Sequence, residues 1–211
     1  LQLRNFFVLP SFVILLSAQS VAGELQARTL REELLRPVPR QAVLLAKWFA
    51  LVTWSAASLG LGWVVDALGG MVLLGTSGPW AEVAAGYAAA LLCDAGLAAV
   101  AMAVAVSVQG VAGAVVGTFL FLVLSIFAGW ALYFIAWLAG IEAVRTSVGP
   151  SAWMLDTVVQ LEPWLPPAAL AAWRGISPEA DWVWQSFAAL AILTGIALGV
   201  AERRLARLDL P

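Results

Sequence analysis

The hydrophobic positions fall into five long runs that polar or proline-broken stretches separate. Residues 6–22 are almost wholly apolar, with Pro10 placed where a first helical turn tolerates it, and predict a short membrane-spanning helix. Residues 42–65 predict a second span, whose Lys47 can extend its ammonium toward the headgroups. Asp66, Gly69, Gly70, Gly75, Gly78 and Pro79 then punctuate an apolar stretch, which predicts a loop lying on the membrane face. A third span is expected over 81–106, with Ser107, Gln109 and Gly110 forming a tight turn into a fourth over 111–138. Gly113 and Gly117 in that fourth run have the GxxxG spacing that lets helices approach closely, either in a dimer contact or, as the commoner use, in packing within one protomer. Prolines 150, 163, 166, 167 and 178 with Trp153, Trp164 and Trp173 make 140–181 too broken to span, so short helices at headgroup level are expected there. A fifth span, 182–201, leads into Glu202, Arg203, Arg204 and Arg207.

Between the first two runs lies a stretch of different character, residues 23–41. Glu24, Arg28, Glu32 and Arg36 follow one another at four-residue steps, placing opposite charges one helical turn apart. Ala27, Leu30 and Leu34 fall on one stripe of the same helix, while Arg28, Arg31 and Glu32 face away from it. The pattern predicts one interfacial helix from Glu24 to Arg36, ended by Pro37 and Pro39.

Composition agrees with this pattern. Hydrophobic residues make up 63% of the 211 positions and charged residues 11%, which excludes a soluble domain and predicts an all-α polytopic membrane protein. A net charge of -2 gives no reason to expect nucleic acid as a partner. One cysteine, Cys93, and no histidine leave no disulfide and no ordinary metal site, and no cofactor is implied. Placing 23–41, the 107–110 turn and the C-terminus in the cytoplasm puts eight basic residues inside (28, 31, 36, 40, 47, 203, 204, 207) and three outside (4, 145, 174). That topology leaves Leu1 outside, so a sixth, upstream span is expected in the full protein.

Few residues carry chemistry. Asp94 falls near the middle of the third span, where a charged carboxylate costs about 2.5–3.5 kcal/mol on insertion scales, so it must face protein or water. It is a candidate for a translocation path or a protomer contact, and a buried structural hydrogen bond explains it equally. Ser17 and Gln19 in the first span, with Thr53 and Ser55 in the second, could line a polar route or simply bond between helices. Asp94 has no second intramembrane acid, and serine or metal chemistry lacks its histidine, so no enzymatic activity is expected. Lys47, the single lysine, follows Ala46 and cannot complete a phosphate-binding P-loop.

These residues resemble the permease subunits of type-2 ABC transporters, a family that includes exporters and permeases of the nitrous-oxide-reductase maturation type. The resemblance is carried by Glu24, Thr29, Leu30, Leu34, Leu35, Pro37, Arg40 and Lys47 early in the chain. It continues in Pro166, Pro167, Arg174 and Gly175 before the last span, and in Glu202–Arg204 at its end. The chain departs from the family pattern at Arg28, which replaces the usual glycine before Thr29, and in lacking the family's first span. The resemblance implies a type-2 ABC exporter permease architecture in the inner cell membrane. Its partners would be two ABC-type ATPase subunits, a second permease protomer in a homodimer, and membrane lipid. It also implies that Glu24, Arg28, Thr29, Arg31, Glu32, Glu33, Leu34, Arg36, Pro37 and Arg40 form the surface that couples to the ATPase, and that 140–181 is an external helical hairpin. A cofactor-maturation exporter, or a scaffold passing ATPase work to an external partner protein, are the alternative functions. The scarcity of charge in the spans points to a lipid-like or amphipathic cargo.

Overall fold

A computed structural model of the chain describes residues 8–30, 38–75, 80–146 and 180–207, and these residues contain helices and turns but no strand. Six α-helical elements follow in order: α1 (Leu9–Ala18), α2 (Glu24–Gln26), α3 (Arg40–Leu74), α4 (Trp80–Val108), α5 (Val111–Thr146) and α6 (Ala180–Ala206). A π-helical stretch, Gln19–Gly23, joins α1 to α2. Such stretches hold one extra residue per turn and shift the register of the side chains that follow. Two helices among the described residues are long and apolar enough to cross a membrane, Arg40–Leu73 and Gly86–Val108, and Val111–Ser125 is a shorter apolar one.

The chain divides into two compact units. The first holds residues 1–119 with 191–211, and the second holds residues 120–190. In the first unit α4 is the central element, packed against both α3 and α1, with the π-helical stretch also against it. The reason lies in its sequence: Ala95, Ala98, Ala99, Ala101, Ala103 and Ala105 are all buried, and small side chains let neighbouring backbones come close. Larger side chains of the flanking helices fill the remaining space. Val13 and Ile14 of α1, and Leu44, Leu51 and Leu59 of α3, are buried on one face of each helix, while Phe12, Leu61, Val65 and Leu68 remain exposed on the others. In lipid, where apolar burial between helices adds little driving force, this close packing is the main cohesion.

The second unit comprises the later part of α5 and the first part of α6. Helix α5 passes Gly140 and continues to Thr146, further than the polar character of 140–181 suggests. Residues 147–179 of that expected hairpin lie outside the described residues.

Two further elements differ from the sequence pattern. The expected loop after residue 65 begins late: α3 continues through Gly69 and Gly70 to Leu74 and stops at Gly75, whose φ of 72° a side chain would resist. Each helical glycine costs about 1 kcal/mol against alanine, but an unwound backbone in apolar surroundings would leave amides unpaired at several kcal/mol each. Gly70 is also a site of close approach. A Cβ there would lie 2.6 Å from the Trp80 ring at the start of α4.

The second difference concerns the interfacial helix, which is not continuous from Glu24. Arg28 adopts φ 63°, in the left-handed region, and its amide closes a turn onto the Leu25 carbonyl at 3.2 Å. Helix ends at Gln26 and resumes at Thr29. Ala27 is exposed and Leu30 is fully buried, so the two do not share one stripe. The physical cause is the left-handed residue itself, which turns the chain direction between them. A glycine takes that conformation without strain. Residues 31–37 are outside the described part.

Candidate functional site

Polar side chains in the first unit gather in three tiers along α3. At one end, Lys47 Nζ lies 2.6 Å from Glu24 Oε2, with both side chains largely shielded. One residue further, the Trp48 indole N–H donates to the Ala95 carbonyl at 2.9 Å. In the middle, the Ser55 hydroxyl donates to the Asp94 carboxylate, and these side chains are 1% and 3% exposed. At the other end, the Tyr87 hydroxyl donates to the Asp66 carboxylate.

Lys47 and Asp66 are separated along one helix by a rise of about 28 Å, close to the thickness of a hydrocarbon core of about 30 Å. Ser55 lies between them, about 12 Å from the Lys47 level. Asp94 sits at that same depth. Its carboxylate is withdrawn from lipid into the α3–α4 contact, where the Ser55 hydroxyl offsets part of the cost of placing it there. Cys93 beside it is buried and unpaired with any other cysteine.

The other polar residues of the first two spans do not form a route. Ser17 is buried, but its hydroxyl donates to the Val13 carbonyl of its own helix at 2.6 Å. Thr53 is exposed on α3. Gln19 is exposed and its side chain lies over Gly23, where a Cβ would be 2.9 Å from Gln19 Nε2. Gly113 and Gly117 serve packing within the chain: a Cβ at Gly117 would lie 2.9 Å from Val104 Cγ1, and one at Gly113 would lie 2.5 Å from Val108 Cγ1.

The charged segment sits at the Lys47 end. Glu24 is paired with Lys47, Arg28 is exposed, and the exposed Thr29 donates through its hydroxyl to the Glu24 carbonyl at 3.4 Å. The Gln26 side chain reaches the α4–α5 turn, where Gln109 takes φ 57° and a Cβ on Gly110 would be 3.6 Å from Gln26 Nε2. Arg40 opens α3 and donates through one guanidinium nitrogen to the Leu205 and Ala206 carbonyls at 2.8 and 3.1 Å. The segment, the α4–α5 turn and the end of α6 thus meet at one end of the first unit. Arg31, Glu32, Glu33, Leu34, Arg36 and Pro37 lie outside the described residues.

Three partners were not singled out by pattern: Lys47 for Glu24, Ser55 for Asp94, and Tyr87 for Asp66. Lys47 carried a signal as the single lysine of the chain, standing about two helical turns inside α3. Tyr87 carried none, since an isolated tyrosine on an apolar helix fits an interface equally well without an acid beside it.

Apolar helices of spanning length, a shielded carboxylate at mid-depth and a charged segment gathered with the helix ends define a helical membrane protein built around a bundle. The family model described as ABC-2 family transporter protein matches residues 1–128. The chain belongs to that family, and it is a transmembrane subunit of an ABC transporter. No curated protein and no solved structure matches the chain.

Proposed function

We propose that this chain is the permease of an ATP-driven transporter in the inner cell membrane, working as a homodimer with two separate ATPase subunits. It crosses the bilayer over 6–22, 42–65, 81–106, 111–138 and 182–201, with 23–41 on the cytoplasmic side as the segment that meets the ATPase. The observation that carries this reading is the gathering of that segment with the α4–α5 turn and the end of α6. A partner pressing on this one end would act on α1, α3, α4, α5 and α6 together. Membership of the family supports an ATPase partner, since ABC-2 permeases generally work with one. The cargo in this reading is lipid-like or amphipathic, because among the described residues the only charged side chain at mid-depth, Asp94, is turned inward against Ser55.

The test is charge reversal within the segment: Arg31→Glu with Glu32→Arg and Glu33→Arg. Exposed ion pairs contribute about 0.2–0.5 kcal/mol each, so the variant is expected to fold and insert normally. Co-purification of the ATPase should fall severalfold, most visibly at low ionic strength where exposed charges attract over longer range. Undiminished binding and turnover of the ATPase would show 23–41 to be a solvated loop.

A further inference from the structure

Among the described residues, the chain from the end of α1 to the first residue of α3 is fastened in three places. Glu24 is tied to Lys47, Leu30 is fully buried, and Arg40 holds the last two carbonyls of α6. The third tie is the unusual one. A helix end has carbonyls without intrahelical partners, and a water-exposed end satisfies them with solvent or with basic side chains of its own last turn. Helix α6 has such side chains in Arg203 and Arg204, and Arg207 follows, yet all three are exposed. The carbonyls instead accept from a residue 165 and 166 positions away. A remote donor adds nothing to capping that the local arginines lack; what it adds is connection. A guanidinium suits this, because it is permanently charged and attracted to the negative helix end, and one of its NH2 groups donates to both carbonyls.

We propose that Arg40 is a positioning residue that latches the C-terminal end of α6 to the coupling segment. A displacement imposed at Arg40, where the segment enters α3, is then delivered to the last span as well as to α3. This rests on the reading that the segment meets the ATPase, but the latch itself is a property of the chain alone and is tested there first.

Spin labels at Gln41→Cys and Arg207→Cys on a Cys93→Ser background, in lipid nanodiscs, report the separation of the two helix ends. With Arg40 present a single narrow distance distribution is expected. Arg40→Ala should add a longer, broad population, the latched fraction dropping relative to the open one by roughly tenfold, as loss of a charge-assisted hydrogen bond implies. Arg40→Lys should fall between them, since it keeps the charge but loses the planar, rigid donor group, and it serves as the second variant should Arg40→Ala fail to insert. Arg203→Ala, exposed on the same helix end, should change nothing. An unchanged distribution in both Arg40 variants, or equal opening in Arg203→Ala, overturns the latch. In the reconstituted complex supplied with ATP, Arg40→Ala should lower permease-dependent turnover per bound ATPase about threefold or more. Full turnover with an open latch overturns the transmission role. Failure of ATPase docking would appear in the charge-reversal variant and leaves the nanodisc measurement untouched, so the two failures are distinguishable.

Discussion

Asp94 and Ser55 show how a single residue is settled by its partner. A carboxylate at mid-depth is costly in either protonation state unless something accepts or donates a hydrogen bond, and here one hydroxyl on α3 does so. Asp94→Asn keeps an oxygen that Ser55 can donate to and is expected to stay within about 1 kcal/mol of the unmodified protein. Ser55→Ala leaves the carboxylate buried without that donor and should cost about 1–3 kcal/mol. Thermal unfolding in detergent measures both, and the reverse ranking would show that the pair is not the support assigned here. If the carboxylate also serves transport, Asp94→Asn will fold normally but transport poorly, which separates a functional demand from a structural one.

At the scale of elements, helix continuity was decided by the few positions where backbone geometry and surroundings disagree. Helix α3 passes two glycines because the alternative, an unpaired backbone in apolar surroundings, costs more than the glycines do. The interfacial helix breaks at Arg28 although arginine is a good helix former, because the fold holds that residue at φ 63°. Comparing Arg28→Gly with Arg28→Ala isolates the backbone, since both lose the same side-chain charge. The glycine variant should be the more stable by about 1 kcal/mol in thermal unfolding. Equal stability would mean that residue 28 does not keep the left-handed conformation in the membrane. The π-helical stretch before α2 similarly shifts register, and Val21 and Ala22 are buried within it.

For the whole molecule, sidedness is the property on which the proposed function depends. The eight-to-three bias of basic residues predicts that Gln41 and Arg207 face the cytoplasm and that Ser77 and Ser151 face outside. Residues 40 and 205–206 meet directly, so whichever side holds one must hold the other. Single cysteines at the four positions on a Cys93→Ser background should react with an impermeant maleimide in intact cells only at 77 and 151. Labelling at 41 in intact cells would reverse the topology and remove the segment from any cytoplasmic ATPase.

The sequence by itself determined the helical, membrane-embedded class, because 63% apolar composition in long uninterrupted runs has no other stable solution. It also determined the turn at 107–110 and the relatedness carried by Glu24, Thr29, Pro37 and Lys47, since order along the chain is enough to show both. The segment's charges and Asp94 stood out equally, for charge is rare in such a chain. Which groups would meet was legible nowhere in that pattern. Glu24 lies 23 residues from Lys47, Ser55 lies 39 from Asp94, and Arg40 lies 165 from Leu205. Each of these contacts depends on how helices cross and at what depth, and periodicity along one helix constrains its faces without choosing its neighbours. Tertiary structure decided that Glu24 turns inward to Lys47 instead of pairing along its own helix, and that the start of α3 holds the end of α6. The physical reason is the same in each case: a polar group removed from water takes the partner that packing brings within reach.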